Sequence, residues 1–287
     1  MCKLDRLRLS LAQNPTEAFL DHPVFHSLGG HRLKKSDRFQ PYTQAHWFEH
    51  RTSGMKFSIE SKPPMRWIPP YRITLFGDDK TGLLPEEVFG VLELLVGGFK
   101  LTLVEIALDF EGTKVNRSYI RRYGLFGRSQ PKPSGKVTDY WGTRKGSKLA
   151  KSYWKSEIGR FRLELELRSR FLRRHNIEDP YDFQEFAQML PRHHVWFTRI
   201  DDLKLIDHLR RRGLTGEEII RICRHVDALK KSIHAALSYL HRKVRINNVR
   251  RVLTPLRTNQ LVRGAFTKFS ADWPEFEHAP DEGSGRK

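Results

Sequence analysis

From Lys56 to Arg168 the chain repeatedly alternates apolar and polar residues, the period of strands with one buried face. In Phe161-Arg-Leu-Glu-Leu-Glu-Leu-Arg168, the residues Phe161, Leu163, Leu165 and Leu167 point one way, and Arg162, Glu164, Glu166 and Arg168 the other. A long strand is predicted over Phe99 to Glu111, with Val104, Ile106, Leu108 and Phe110 facing away from Glu105, Asp109 and Glu111. Lys56 to Glu60, Tyr71 to Phe76, Lys136 to Thr143 and Leu149 to Lys155 read as shorter strands. Pro63, Pro64, Pro69 and Pro70 make their segment an extended connection. A helix opens at Pro85 and ends at Gly97-Gly98, and Asn116 to Tyr123 is a short basic helix.

After Arg170 the period becomes helical. Pro180 to Leu190 forms one helix ended by Pro191, and Asp201 to Arg212 another. Thr215-Gly-Glu-Glu218 is a capping box opening a helix that runs toward Arg242, with Ile219, Ile222, Val226, Leu229, Ile233, Leu237 and Leu240 on one side. The pattern predicts an α/β (α+β) fold: a central antiparallel sheet flanked by helices, with a helical C-terminal region. Its expected parts are a basic, partly ordered N-terminal segment (1–50), an α/β domain (51–200), a helical region (201–276) and a disordered tail (277–287).

Charge changes the picture. The chain carries 52 lysines and arginines against 33 aspartates and glutamates, a net charge of +19. Such an excess favours a polyanion, nucleic acid before any membrane surface. No apolar run is long enough to span a bilayer, and Met1 to Leu20 lacks the apolar core of a signal peptide. Cys2 and Cys223 form no disulfide framework, so a soluble, cytoplasmic protein is expected. Neither His46 with His50 nor His193 with His194 has the spacing of a metal-binding histidine motif.

The strands carry candidate chemistry. Carboxylates on one sheet face are either solvated decoration or a site for a hard cation such as Mg²⁺ or Mn²⁺. With Trp154 toward the core, a hairpin places Tyr153 opposite Arg162 or Glu164, beside Lys151 and Lys155. A phenol ionises near pH 10, so its attack on a phosphodiester needs a base or cation close by. The same residues also suit a solvent-facing tyrosine among surface charges.

Thr138-Asp-Tyr-Trp-Gly-Thr-Arg-Lys-Gly-Ser147, Ser152-Tyr-Trp-Lys155 and Arg162-Leu-Glu-Leu-Glu-Leu167, with Val104-Glu-Ile-Ala-Leu-Asp109 upstream, resemble the replication initiation factor family. That family includes rolling-circle initiators of plasmids and phages and relaxases of conjugative elements. The layout agrees over roughly residues 55 to 245, the specific motifs over 136 to 168 plus Asp109. The resemblance implies a relaxase-like sheet and a metal-dependent enzyme that nicks one DNA strand and forms a 5′-phosphotyrosyl intermediate. Tyr153 is then the nucleophile, with Tyr140 the alternative. Asp109 with Glu164 or Glu166 would bind Mg²⁺ or Mn²⁺. Arg144, Lys155 and Arg162 would contact phosphate, in a basic set that also holds Lys148 and Lys151. Implied partners are origin DNA as hairpin or single strand, a helicase and a second copy of the chain.

A competing reading needs no catalysis. Asp201 to Arg212, the turn at Gly213-Leu214 and the helix from Glu217 have the layout of a helix-turn-helix, with Arg210, Arg211 and Arg212 as DNA contacts. Alone, that layout suits a sequence-specific regulator. Charge by itself also leaves RNA as a partner.

Overall fold

The structure, a computed structural model, describes residues 1–32, 42–63, 65–77, 83–92, 94–95, 98–111, 115–126, 132–134, 138–143 and 146–273. The alternating runs become strands β4 (Lys56–Ser61), β5 (Tyr71–Phe76), β6 (Phe99–Phe110), β9 (Thr138–Trp141), β10 (Lys148–Lys155) and β11 (Arg160–Arg168). They join β1 (Cys2–Leu11), β2 (Phe25–Arg32), β3 (Gln44–His50) and β8 (Lys132–Ser134) in one ten-stranded sheet of order β2-β3-β4-β5-β1-β6-β11-β10-β9-β8. Every neighbouring pair is antiparallel. The expected antiparallel sheet is thus present.

The boundary at residue 50 is corrected: β1 sits mid-sheet, between β5 and β6. Its alternation is interrupted. Cys2 and Leu4 are buried, then Leu7, Leu9 and Leu11, because the register with β6 shifts between Leu4 and Arg6. Such a bulge puts two consecutive residues, Asp5 and Arg6, on the same side.

One sheet face is apolar and covered by helices. Leu7, Leu9, Val104, Ile106, Leu163 and Leu165 pack there with residues of α1 (Glu17–Leu20), α2 (Glu86–Leu92), α3 (Arg117–Tyr123), α4 (Ser169–Arg174), α5 (Pro180–His193) and α9 (Thr258–Ala271). Helix α5 runs past Pro191, where an end was expected. Proline at this last turn removes one intrahelical donor, and the His194 and Val195 amides still bond to the Leu190 carbonyl.

A second core lies in α6 (Asp202–Arg211), α7 (Gly216–Leu229) and α8 (Ile233–Arg242). The single helix expected from Glu217 toward Arg242 is two, because the Ser232 side chain caps α8 by accepting from the Ala235 amide. Both helices bury their apolar stripes in one cluster, so the periodicity runs through the break. This unit is inserted between β12 (Trp196–Ile200) and β13 (Leu253–Pro255), which pair Ile200 with Leu253 and join β7 (Gly124–Leu125) in a small sheet. The helical region expected over 201–276 therefore divides: α9 returns to the main core through Val262, Phe266, Phe269 and Trp273. The tail 277–287 lies outside the described residues, among which no helix is long and apolar enough to cross a membrane.

Candidate active site on the charged sheet face

The face opposite the helices is polar, and β10, β11, β6 and β1 supply its centre. Register sets the neighbours: Tyr153 lies opposite Arg162, Lys151 opposite Glu164, and Arg162 opposite Asp109. Tyr153 is thus placed against Arg162 and Glu164, as the alternation predicts. Trp154 does lie opposite Phe161 on the helix side, but at the hairpin end of β10 it is 52 % exposed rather than in the core.

Hydrogen bonds close the group. The Tyr153 hydroxyl donates to Oε1 of Glu164. Arg162 donates to both oxygens of Asp109, Nε to Oδ1 at 2.6 Å and Nη2 to Oδ2 at 2.8 Å. Its Nη1 reaches Asp5 at 3.2 Å and lies 3.7 Å from Glu164. Lys151 bridges two strands, its Nζ 2.7 Å from Glu105 Oε1 and also paired with Glu164. Arg6 meets Glu105 from the other side at 3.4 Å.

Electrostatics follow from burial. Tyr153 is raised above the usual phenol value by burial, against the pull of Lys151 and Arg162. Asp5 is raised by burial and then by the nearby Glu105 charge. Burial works against the charge on Arg162, but the bond and charge of Asp109 outweigh it, so Arg162 stays firmly protonated. The phenol is therefore neutral at pH 7, with its proton directed at Oε1 of Glu164.

The expected metal set is not assembled. Asp109 is closed by Arg162, and Glu166 accepts from Arg168 Nε at 2.8 Å. The carboxylates that do converge are Asp5, Glu105 and Glu164, each with an oxygen within 4.8 Å of the others. Glu105 is on the predicted face. Asp5 is there because of the bulge, and the apolar steps Leu4, Leu7, Leu9, Leu11 are the signal that would have found it.

Lys148 is also corrected. It pairs with Leu167, on the helix-covered side, where it bonds to His194 Nδ1 at 3.2 Å and burial lowers its pKa to about 8. Lys155 shares the Tyr153 face and is half-buried. Tyr140 lies beside Lys151 on β9, on that same face. Arg144 lies outside the described residues. Asp139, inside the Thr138–Ser147 string, has a structural task. It is fully buried and held by Arg117 (2.8 and 2.9 Å) and Arg121, which tie α3 to β9.

Arg210, Arg211 and Arg212 are exposed at the end of α6, far along the chain from the tyrosine. Arg212 donates to the Val244 carbonyl at 2.7 Å, drawing this run to exposed Arg242, Lys243 and Arg245. Two basic runs distant in sequence thus meet at one end of the inserted unit. The first turn of α7 is acidic, with Glu217 and Glu218, which disfavours its entry into a groove as a recognition helix.

No family model matches the chain, and no curated protein matches it. The likeness to replication initiators therefore stands on the quoted motif residues.

Proposed function

We propose that the protein is a DNA strand-nicking and joining enzyme of the replication-initiator kind, with Tyr153 as nucleophile and Glu164 as its base. The observation that carries this reading is the Tyr153–Glu164 hydrogen bond, set between Lys151 and Arg162. In the reaction the phenol proton passes to Glu164 as the phenolic oxygen attacks phosphorus. The bond from phosphorus to the 3′ oxygen breaks, and that oxygen takes a proton from water, which is in turn resupplied with the proton held by Glu164. The 5′ phosphate is left esterified to Tyr153. Rejoining reverses each step. Arg162 and Lys151 hold the phosphate and offset its charge as it becomes five-coordinate.

Asp5, Glu105 and Glu164 form an oxygen donor set that suits Mg²⁺ or Mn²⁺. These three, rather than Asp109 and Glu166, would hold such an ion, which when bound would further neutralise the scissile phosphate. Lys151 already spans two of the three carboxylates, so the ion and the ammonium compete for the same oxygens.

The test is incubation with supercoiled and single-stranded DNA, with and without Mg²⁺ or Mn²⁺. The reading expects nicked circles and protein covalently attached to the 5′ end, both absent in Tyr153→Phe. A 5′ adduct that survives Tyr153→Phe moves the nucleophile to another residue, Tyr140 first. The exposed basic cluster of the inserted unit favours a second role, holding duplex DNA. A protein that binds DNA through it but never nicks is the regulator of the alternative reading.

A further inference from the structure

Away from the tyrosine, the same sheet face carries a row of arginines. Arg6 and Arg8 of β1 and Arg72 of β5 are neighbours, Arg8 lying opposite Thr74 and Leu103. All three have a buried Nε without a hydrogen-bond partner among the described residues. Arg72 is paired with Glu60, which also accepts from Thr74 at 3.2 Å, and Arg6 reaches Glu105 at 3.4 Å. Glu105 is shared with Lys151. Both nearby acids are thus engaged, and the Arg8 guanidinium makes no ion pair or hydrogen bond with any described residue, while its carbonyl accepts from Thr102 Oγ1 at 3.1 Å.

A half-buried guanidinium between two others is costly to hold. Burial, then Arg72 and Arg6, lowers the Arg8 pKa to about 10. A charge kept in such a place with no partner among the described residues destabilises the free protein and calls for an anion from outside. Beside it lies an aromatic platform. The Trp47 and Phe76 rings stack at 5.9 Å and 15°, and the Arg6 guanidinium sits 5.6 Å from the Phe76 centroid. Rings beside cations are what single-stranded nucleic acid uses, with bases on rings and phosphates on guanidinium groups. From β1 to β10 is three strand spacings, roughly 14 Å, across one continuous face.

We infer that Arg8 is a phosphate-binding residue for single-stranded DNA, which crosses the sheet from the Trp47–Phe76 platform, past Arg8 and Arg6, to Tyr153. The choice of DNA and the direction toward Tyr153 rest on the proposed nicking function; the anion site itself does not.

The experiment measures anisotropy of a fluorescent oligothymidylate across a salt series, using the full chain with Tyr153→Phe so that nothing is cut. Adding Arg8→Met is expected to weaken binding about tenfold and to lower the salt slope by about 0.7, the loss of one phosphate contact on a single strand. The same change is expected to raise the melting temperature of the free protein, because an unpaired charge leaves the sheet. Arg8→Lys should restore the slope without the full affinity. Unchanged affinity and slope in Arg8→Met, or a lower melting temperature with binding intact, overturns the inference and makes Arg8 structural. Tighter Arg8-dependent binding of oligouridylate overturns the choice of DNA. Failure of the nicking proposal reads differently: Arg8-dependent binding persists while unmodified protein leaves DNA uncut and free of adduct.

Discussion

The Tyr153 hydroxyl donates to Glu164, a residue diagonal to it across the β10–β11 hairpin, rather than to its direct partner Arg162. That diagonal separates the two groups, Glu164 accepting from the phenol while Arg162 is fixed on Asp109; in the proposed reaction the first takes the proton and the second holds the phosphate. Glu164→Gln keeps the shape but cannot accept the proton. Nicking should fall by about 10²- to 10⁴-fold, the usual worth of a general base, with oligonucleotide binding nearly unchanged. Single-turnover kinetics checks this. A rate within threefold of the unmodified protein removes Glu164 from the chemistry.

Lys151 pairs with Glu105 and Glu164, so a divalent cation at the proposed site would contend with it for these oxygens. In Lys151→Met, three carboxylates remain without that ammonium, and Mn²⁺ should bind more tightly, by about tenfold or more. Electron paramagnetic resonance of Mn²⁺ titrated into protein reports this without any nicking assay. Equal Mn²⁺ affinity in both proteins shows that the ion does not use these oxygens.

Lys148 makes a prediction in pH. Its folded pKa of about 8 lies below the ordinary 10.5. Below pH 8 the folded protein bears the full cost of a buried ammonium. Between about 8 and 10.5 the unfolded chain holds more protons, so stability rises with pH over that window. Lys148→Met should therefore be more stable than the unmodified protein at pH 7, by on the order of 2 kcal/mol, with the advantage shrinking toward pH 10.5. Urea denaturation at pH 7, 9 and 10.5 measures it.

Asp139 titrates in the opposite sense. Burial opposes its charge, but the bonds from Arg117 and Arg121 outweigh it and hold the folded pKa below 3.8. Its contribution is complete above the unfolded value and is lost as pH falls through the folded one. Asp139→Asn should cost about 2 kcal/mol at pH 7, short of a fully buried pair because both arginines are partly exposed. The deficit should vanish in acid, where both proteins carry a neutral side chain.

Removing Arg210, Arg211, Arg242 and Lys243 together should weaken duplex DNA binding and flatten its salt dependence, while cutting of a short single-stranded oligonucleotide continues. Arg212 is left in place because it bonds to Val244. Loss of cutting on the short substrate would join the two surfaces into one.

The sequence carried strands β4, β5, β6, β9, β10 and β11, the antiparallel pairing and the convergence of Tyr153 with Lys151, Arg162 and Glu164, because strict alternation fixes which side each residue takes; β2, β3 and β8 went unread. It did not carry β1. A one-residue slip at Asp5 breaks the period, so a central strand reads as an unpatterned basic segment, and one member of the carboxylate group is hidden with it. Lys148 is assigned to the wrong face for a related reason. Basic residues in one run look alike, yet adjacent positions on a strand face opposite sides, and Lys148 falls with Leu167. The closure of Asp109 by Arg162 depends on cross-strand reach, which spacing along one strand does not reveal.

Strands β12 and β13 meet at Ile200 and Leu253, so residues 201–252 leave the main body and rejoin it at a single doorway. The unit keeps its own apolar interior, touching the rest chiefly where α8 lies on α3, β7 and β12. Such a plug-in arrangement lets the basic end be exchanged for another of the same footprint without moving the strand that carries Tyr153. Under the proposed function, target choice and strand chemistry then change independently, one by substitution of a cassette, the other only residue by residue.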